Sequence, residues 1–468
     1  MSQKMVTALR EALGDDAVLT DERAREFHSA DALNPARAPH APKSAWGTPA
    51  VVVTPSSTEE VARAVKLACE HRTPIVPYGG GTGLMGAAVP GEGAIVVDMK
   101  RMNHIRSISV EDRVAWTEAG VVLKDLDAAL GQHGLMLGHD PYSVPIATVG
   151  GTISTNSVGY RAAKYGSMGA QVLALEVVLP TGDVLTTKAV PKAASGPNLN
   201  SLFIGAEGTM GIITAAALRV FLLPEERRFA TVSFASFEEG FRAVSEMFAL
   251  GLRVALTDLT EEPLRQEPEM RVLLNLVFEG YREEVAAQEQ RAMRICKEAG
   301  GKDIGPSEAQ RYWKERHSSA EWYQRDVLPL PPPERWQAGW GSRGQWDYPH
   351  VALPISKVLE FRRKATEMAR EKGIAIREYC AWTEPELFSM IVAGVEGDQA
   401  TAEAFTDTAE AILRLAQDMG GTMEYCHGVG LKLAYLAERE WGSGLEAARS
   451  LKKAMDPYNI MNPGKLGL

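Results

Sequence analysis

The stretch that decides the fold is Pro77-Tyr78-Gly79-Gly80-Gly81-Thr82-Gly83-Leu84-Met85-Gly86. Its five glycines leave backbone N–H groups uncovered, and such backbone suits an anion. The spacing Gly81-x-Gly83-x-x-Gly86 matches the dinucleotide-binding fingerprint, which requires a helix to begin at the last glycine. Residues 87–93 read Ala-Ala-Val-Pro-Gly-Glu-Gly and predict no helix. Three interpretations stay open on this evidence: a glycine nest for phosphate, which we favour, a Rossmann loop and a structural turn.

Length and composition narrow the class of protein. With 468 residues, two or more domains are expected. The net charge of −10 argues against nucleic acid or an anionic membrane as the main partner. The four cysteines are scattered without C-x-x-C spacing, which predicts reduced thiols in a cytoplasmic protein. The sequence shows no leader-like apolar segment and no apolar run near ~20 residues, so no membrane span is expected.

Residues 1–45 predict a polar N-terminal lead-in on the surface, with a short amphipathic start at residues 5–13. From residue 46 the pattern becomes regular. Residues 51–53 predict a strand, and Ser57-x-x-Glu60 is a capping box that opens a helix.

Three further loops are expected: a turn fixed by Pro141 at residues 139–143, and glycine-bearing loops at residues 148–159 and 203–213. Each alone is typical of an ordinary turn. Together with residues 77–86 they offer bare backbone along a long ligand, which indicates an extended dinucleotide.

The second half repeats the order strand, helix, strand without a phosphate loop. Strands are expected at residues 230–234, 254–258, 271–278, 350–353, 374–382, 387–393 and 422–426, and helices at residues 237–250, 283–299, 357–372 and 400–419. This pattern predicts helices that cover a mixed or antiparallel sheet. Residues 313–346, rich in tryptophan and proline, predict a packed connector, with a lid over a substrate as the alternative.

Several motifs in a fixed order carry a family resemblance. Residues 77–86, 140–143, 148–159 and 203–213, with Tyr165-Gly166, resemble the flavin-binding domain of the vanillyl-alcohol oxidase and p-cresol methylhydroxylase (PCMH) superfamily. Residues 420–430, which include His427-Gly428-Val429-Gly430, and residues 455–466 resemble the C-terminal domain of FAD-linked oxidases of the glycolate oxidase and D-lactate dehydrogenase type.

The resemblance implies an α+β chain with three parts. Residues 1–45 form the lead-in, residues 46–225 a PCMH-type FAD-binding domain of two subdomains, and residues 226–468 a C-terminal substrate domain with a mixed or antiparallel sheet covered by helices. By the same resemblance, Gly79 to Gly83 hold the pyrophosphate, residues 150–159 line the flavin, residues 207–213 contact the adenosine half and Asn462 approaches the ring. The residues expected to bind FAD are Pro77, Gly79, Gly80, Gly81, Thr82, Gly83, Leu84, Asp140, Pro141, Ser143, Gly150, Gly151, Ser154, Asn156, Gly159, Tyr165, Glu207, Gly208, Gly211, Ile213 and Asn462.

Relatives that attach flavin covalently often use a histidine in the first loop. The corresponding residue here is Thr82, so the resemblance implies non-covalent FAD.

The expected chemistry rests on His427. In the mechanism that the resemblance implies, a substrate hydride leaves for the flavin and a neutral imidazole accepts the hydroxyl proton. Tyr425 is expected to act as an acid or hydrogen-bond donor, and Arg316, Arg377 and Lys432 are candidates for an anionic substrate group.

The metal-assisted members of the family carry histidines on a strand and a glutamate just before the His-Gly pair. Here the strand region is Arg377-Glu378-Tyr379-Cys380-Ala381-Trp382-Thr383-Glu384, and Cys426 precedes His427. Because these ligands are missing from the motif, a metal-free pocket is expected.

The first hypothesis is therefore an FAD-dependent oxidoreductase that acts on the C–OH of a 2-hydroxy acid or a related small alcohol. A second is a non-redox flavoenzyme, since the pattern also resembles alkylglycerone-phosphate synthase. A third, from another class, is an NAD-binding dehydrogenase that uses the Gly81 to Gly86 fingerprint. The sequence is compatible with a homodimer and does not identify the electron acceptor.

Overall fold

A computed structural model describes residues 3–263, 270–339, 345–394 and 399–468. The first half of the chain opens with a four-stranded sheet in the order β1-β2-β4-β3, in which β2, β4 and β3 run parallel. Its elements are α1 (Gln3–Leu13), β1 (Val18–Leu19), α2 (Glu22–Phe27), β2 (Val51–Val53), α3 (Thr58–Glu70), β3 (Ile75–Tyr78) and β4 (Ile95–Asp98). Helix α3 begins as the capping box predicts, because Ser57 Oγ accepts the Glu60 N–H at 3.2 Å.

A five-stranded antiparallel sheet follows, in the order β5-β6-β10-β8-β9. Its elements and neighbours are β5 (Ile105–Ser109), β6 (Val114–Glu118), α4 (Leu123–Gly131), β7 (Leu135–Met136), α5 (Val149–Thr155), α6 (Ala162–Tyr165), α7 (Met168–Gln171), β8 (Val172–Val178), β9 (Val184–Thr186), β10 (Ile212–Arg219) and β11 (Phe221–Leu222), which pairs with β7. The two sheets share one core with α1, α3 and α4.

The second half forms an eight-stranded antiparallel sheet among the described residues, in the order β15-β12-β14-β13-β18-β19-β16, with β17 also on β19. The elements are β12 (Glu226–Phe234), α8 (Phe237–Ala249), β13 (Leu256–Pro263), β14 (Met270–Gly280), α9 (Arg282–Glu298), β15 (Lys302–Gly305), α10 (Ser307–Glu315), α11 (Ser318–Trp322), α12 (Pro332–Ala338), β16 (Trp346–Asp347), β17 (His350–Ala352), α13 (Ile355–Glu371), β18 (Ala375–Trp382), β19 (Leu387–Ala393), α14 (Gln399–Asp418), α15 (Ala437–Trp441) and α16 (Ser443–Met455).

The period-2 pattern of this sheet separates its two faces. Leu259 of β13 and Tyr379 of β18 pack with α8, α9, α13 and α14 in a second core. Their neighbours Asp258 and Cys380 point to the opposite face, which lines a cavity. The predicted sheet covered by helices is confirmed, and it is antiparallel.

Three expectations about local structure are wrong. Residues 148–159 are not a loop throughout, since α5 forms across them with Thr148 as its N-cap. Gly150 lies inside α5. A Cβ at this position would come within 2.7 Å of Ala119 Cβ, so the packing requires a glycine. Residues 422–426 form no strand; only Thr422 makes an isolated bridge, and a turn described below uses the backbone instead.

The predicted surface lead-in is the third error. Met5, Leu9 and Leu13 of α1 lie in the first core, and Leu33 is fully buried. The Ala32 N–H donates to the Gly83 carbonyl at 3.0 Å, so the lead-in supports the glycine loop. The polar composition of residues 1–45 predicted a surface segment because only a few apolar residues make these contacts.

The predicted connector at residues 313–346 includes the end of α10, α11, a five-residue π-helical turn (Tyr323–Val327), α12 and the start of β16; residues 340–344 lie outside the described residues. Tyr323 and Val327 pack on Ile146, next to the glycine loop. The segment therefore packs as a wall over the first half of the chain.

No helix among the described residues is long and apolar enough to cross a membrane.

Candidate active site

A cavity of about 1530 Å³ lies between the first half of the chain and the second sheet. It exceeds the ~300–1,000 Å³ of common small-molecule pockets, so it has room for a dinucleotide together with a substrate. The glycine loop, α5 and the turn before β10 line one side. The free face of the second sheet and residues 425–427 line the other side.

The glycine loop fits an anion. Among the described residues, the N–H groups at residues 79–83 donate to no protein acceptor, although these residues line the cavity. A Cβ at Gly80 would lie 2.4 Å from the Ile146 carbonyl oxygen, and Gly81 has φ of +70°. No helix begins at Gly86. The loop is therefore a nest of free donors, as favoured from the sequence, and it is not a Rossmann loop.

Most of the residues predicted to bind the cofactor line this one cavity. They are Pro77, Gly79, Gly80, Gly81, Thr82, Gly83, Leu84, Pro141, Ser143, Gly150, Gly151, Ser154, Glu207, Gly208, Gly211 and Ile213. Bare backbone along such a length fits an extended dinucleotide such as FAD.

Five predicted cofactor residues are absent from the cavity lining, and they hold the surrounding backbone. Asp140 accepts hydrogen bonds from Arg316 Nε at 3.0 Å and is paired with His317 at 2.9 Å. Tyr165 donates to Glu279 at 3.1 Å, and the Asn156 side chain accepts the Gly169 N–H at 3.0 Å.

The other two predicted cofactor residues that do not line the cavity are Gly159 and Asn462. A Cβ at Gly159 would lie 2.6 Å from the Asp140 backbone, so Gly159 allows a close chain contact. The Asn462 side chain donates to the carbonyls of Ala87 and Glu207, at 2.8 and 2.6 Å. Asn462 therefore fixes the C-terminal segment on the first half of the chain.

Glu207 joins the two sides of the cavity. Its carboxylate accepts the N–H groups of Val429 and Gly430 at 2.7 and 2.8 Å. Burial raises the pKa of Glu207 to about 7, although these N–H groups oppose the shift. A Cβ at Gly428 would lie 2.2 Å from Glu207 Oε1, and φ is +85° there, which explains why glycine follows His427.

Two histidines of the cavity wall, His350 and His427, lie close to Glu424. The rings of His350 and His427 are perpendicular, with centroids 4.5 Å apart. His427 Nδ1 lies 3.7 Å from Glu424 Oε1. His350 begins β17 in the second sheet, whereas the other two residues lie in the turn after α14.

Glu424 shapes that turn. Its Oε1 accepts the backbone N–H groups of Tyr425, Cys426 and His427 at 3.1, 2.7 and 2.9 Å. Three N–H groups that converge on one carboxylate oxygen cannot also pair in a sheet, and this is why the predicted strand does not form.

The pKa values of the two histidines are shifted in opposite directions. Burial and the nearby His427 lower the pKa of His350 to about 3, so its ring is neutral at pH 7. Burial alone would lower the pKa of His427 too, but the neighbouring Cys426 and Glu424 raise it to about 10. The pKa of His427 is thus raised whereas that of His350 is lowered, and the role of His427 as a neutral proton acceptor stays a prediction.

The same three side chains could hold a metal ion, since their candidate ligand atoms lie within 4.8 Å of one another. The cavity wall and the turn behind it therefore offer three candidate metal ligands outside the strand motif. The metal-assisted members have a glutamate directly before the histidine, whereas here Glu424 lies three residues before His427. His350 of β17 supplies a second imidazole. The expectation of a metal-free pocket stays a prediction.

The remaining predicted substrate residues divide into two groups. Tyr425, Arg316 and Arg377 line the cavity, and burial raises the pKa of Tyr425 well above its usual value, so its phenol stays protonated. Arg316 is already paired with Asp140, whereas exposed Arg377 has no ion pair among the described residues.

Lys432 is absent from the cavity lining. Its Nζ lies 2.6 Å from Asp347; Lys432 is buried, and Asp347 is partly buried.

Sequence reasoning missed His350 and Glu424. His350 belongs to no motif, and the bridge between Ala352 of β17 and Thr422 places this strand beside the turn that carries His427. Glu424 carried a readable signal, because it lies three residues before a histidine in a predicted site.

Comparison with known proteins agrees with this geometry. A family model described as an FAD binding domain matches residues 49–188, and one described as the C-terminal domain of FAD linked oxidases matches residues 223–466. The D-lactate dehydrogenase of Archaeoglobus fulgidus is 32% identical over 89% of this chain and 91% of its own length. The glycolate oxidase subunit GlcD of Bacillus subtilis is 29% identical over 89% of both chains.

Two solved structures share the fold. One is p-cresol methylhydroxylase with substrate bound, with a TM-score of 0.76 and 21% identity, covering 100% of this chain and 98% of that one. The other is alkyldihydroxyacetonephosphate synthase, with a TM-score of 0.76 and 22% identity over 99% of this chain and 86% of that one.

A chain in which an FAD binding domain is followed by the C-terminal domain of FAD linked oxidases is a flavoenzyme, and its fold is that of p-cresol methylhydroxylase. This chain belongs to the FAD-linked oxidase family. It is an FAD-dependent oxidase or dehydrogenase, and the NAD hypothesis is excluded by the same matches and by the absence of a helix after Gly86.

Proposed function

We propose that the protein oxidises the C–OH group of a 2-hydroxy acid or a related small alcohol and transfers the hydride to FAD. The observation that carries the proposal is the pair of imidazoles, His350 and His427, on the wall of the cavity that the glycine loop also lines. The relatives named D-lactate dehydrogenase and glycolate oxidase support a 2-hydroxy acid as the substrate.

Different residues of the chain have different roles in this reaction. FAD, when bound in this cavity, would supply the hydride acceptor. The free N–H groups at residues 79–83 would bind its phosphates, and one ring of the His350 and His427 pair takes the hydroxyl proton. Arg377, exposed at the cavity rim, is available to attract a carboxylate.

The test is anaerobic flavin reduction. We expect the purified yellow protein to bleach on addition of at least one member of a panel that contains D-lactate, L-lactate, glycolate and longer 2-hydroxy acids. Persistence of the oxidised flavin spectrum with every acid and with simple alcohols would refute the proposal.

We further propose that the reaction uses no metal. Glu424 Oε1 already accepts three backbone N–H groups, which leaves this oxygen poorly suited to a cation. Elemental analysis should find no stoichiometric divalent metal, and EDTA should leave flavin reduction unchanged. A stoichiometric ion whose removal stops the reaction would contradict this part.

The flavin is proposed to be held without a covalent bond, because Thr82 occupies the first-loop position and offers no imidazole. Acid precipitation should then release the yellow colour into the supernatant. Colour that stays in the pellet would show a covalent link.

A further inference from the structure

Ser157 and His139 form a hydrogen-bonded pair at the cavity wall. Ser157 lines the cavity just after α5, and its Oγ lies 2.9 Å from Nε2 of His139. The His139 ring is 2% exposed, and its Nδ1 has no hydrogen-bond partner among the described residues. Because His139 does not line the cavity, Ser157 is the member of the pair that a bound molecule can contact.

The burial of His139 decides which of its nitrogens carries the proton. Burial lowers the pKa of the ring to about 4, although the nearby Asp140 opposes the shift, so the ring is neutral at pH 7. A proton on Nδ1 would leave a buried N–H group without an acceptor, and such groups are rare in proteins. A proton on Nε2 leaves only a lone pair unpaired, so the Nε2–H group donates to Ser157 Oγ.

The hydroxyl hydrogen of Ser157 is consequently available to a ligand. The oxygen of this hydroxyl accepts from His139, so its hydrogen needs another acceptor. Among the described residues it reaches the Thr152 carbonyl oxygen at 3.4 Å, and that oxygen already accepts the backbone N–H of Ser157 at 3.1 Å. Hydroxyl hydrogen bonds are typically ~2.7–2.8 Å long, so a better placed acceptor in the cavity can replace this one.

The position of Ser157 indicates which part of FAD it meets. The next residue, Val158, accepts a hydrogen bond from Cys426 Sγ at 3.7 Å, and Cys426 directly precedes His427. On the proposed function the substrate lies at His427, and a hydride acceptor must lie in contact with the substrate. The flavin ring is therefore expected near Ser157, with the phosphates at residues 79–83.

We propose that Ser157, oriented by His139, donates a hydrogen bond to the flavin ring of FAD and makes the flavin easier to reduce. This inference rests on the proposed function for the position of the ring. A hydride adds negative charge to the ring, and a donor is bound more strongly by the more negative form. His139 is a positioning residue, because it acts on the flavin only through the serine hydroxyl.

Matched variants test the serine hydroxyl. Ser157→Ala removes the hydroxyl, and Ser157→Thr keeps it. Ser107→Ala is the control, because Ser107 is exposed on β5 and does not line the cavity. The measurements are the visible absorption spectrum of the flavin and its midpoint potential, determined with dithionite and a redox dye, so that no substrate is needed.

In Ser157→Ala we expect the ratio of reduced to oxidised flavin at a fixed potential to fall by about tenfold, as for loss of one hydrogen bond. For a two-electron couple this is a shift of the midpoint potential by about 30 mV to more negative values. The flavin absorption bands should move as well. Ser157→Thr and Ser107→Ala should stay within about twofold of the wild-type ratio. A wild-type potential and spectrum in Ser157→Ala overturn the proposal, and so does an equal shift in Ser157→Thr.

Two variants test the positioning role of His139. His139→Leu removes the donor to Ser157 Oγ, whereas His139→Gln offers an amide N–H group in its place. We expect the potential of His139→Leu to shift in the same direction as that of Ser157→Ala, and His139→Gln to restore the wild-type value. Both variants are compared at FAD content and Tm equal to wild type. An unchanged potential in His139→Leu overturns the role of His139.

Ring ¹⁵N NMR tests the tautomer of His139 in the unaltered protein. We expect a neutral ring with its proton on Nε2, assigned by the loss of its signals in His139→Gln. A proton on Nδ1 overturns the inference, because Ser157 would then donate to His139 instead of to the flavin. If no hydroxy acid reduces the wild-type flavin, the proposed function fails, whereas the potentials and the NMR spectrum still decide the roles of Ser157 and His139.

Discussion

At the scale of single residues, Glu424 decides what His427 can do. It holds the turn through three N–H groups and supplies the negative charge next to the ring. These two roles are separable, because an amide oxygen still accepts hydrogen bonds but carries no charge.

We therefore predict different results for two substitutions of Glu424. Glu424→Gln should keep the fold to within about 1 kcal/mol, yet lower the pKa of His427, as measured by ¹⁵N NMR. Glu424→Ala leaves N–H groups without an acceptor and should destabilise the protein by on the order of 3 kcal/mol in chemical denaturation. An unchanged His427 titration in Glu424→Gln would show that the carboxylate does not control that ring.

Glu207 gives a pH-dependent prediction. Its pKa is raised from 4.5 to about 7 in the folded state, so folding takes up a proton between these values. The contribution to stability is fully present below pH 4.5, falls as the pH rises towards 7 and is lost above that, with a total change of about 3 kcal/mol. In Glu207→Gln this part of the pH dependence should disappear from the free energy of unfolding. A pH profile identical to wild type would exclude Glu207 as its source.

At the scale of elements, the glycine loop follows β3 and is supported from behind by residues 143–148 and by the lead-in. An added Cβ would lie 2.5 Å from Thr148 Oγ1 at Gly79, 2.4 Å from the Ile146 carbonyl oxygen at Gly80 and 3.2 Å from Asp31 Oδ2 at Gly83. The loop can therefore present its N–H groups only if these positions carry no side chain.

Gly80→Ala tests this packing. The new Cβ would come within 2.4 Å of a backbone oxygen, so the loop must shift. We expect the Kd for FAD, measured by flavin fluorescence on the apoprotein, to rise at least tenfold. Gly91→Ala is the control, since its Cβ would lie 3.7 Å from the nearest atom, an ordinary contact, and its Kd should stay within about twofold. Equal affinities for the two variants would refute the role of the loop.

At the scale of the whole molecule, buried charges hold distant parts of the chain together. Asp347 Oδ1 lies 2.7 Å from Arg37 of the lead-in and 2.6 Å from Lys432, which follows the turn at residues 424–427. The two cations hold the pKa of Asp347 well below its usual range. One carboxylate thus joins the lead-in, the second sheet and the C-terminal segment.

Asp347→Asn should destabilise the protein by about 3–5 kcal/mol, because it leaves two buried cations without a counter-charge. Asp326→Asn removes an exposed pair with Arg325 and should change stability by less than about 1 kcal/mol. Thermal and denaturant unfolding measure both. Similar losses of stability in the two variants would show that the Asp347 cluster stabilises the fold no more than an exposed ion pair does.

Local patterns predicted much of this molecule. The capping box at Ser57 begins α3, the strand expected at residues 374–382 is β18, and the missing helix after Gly86 separates a phosphate nest from a Rossmann loop. These features depend on neighbours in sequence, so local sequence contains them.

Tertiary structure decided the rest. The sequence by itself determined the flavin cradle, the sheet with its helices and the choice of His427, because each depends on contacts over a few residues or on an ordered set of motifs. The partnership of His350 with His427 and the docking of Arg37 on Asp347 depend on strand pairing and packing between remote segments. Burial and charge from those remote groups shift the pKa values of the two imidazoles, and no local pattern records them.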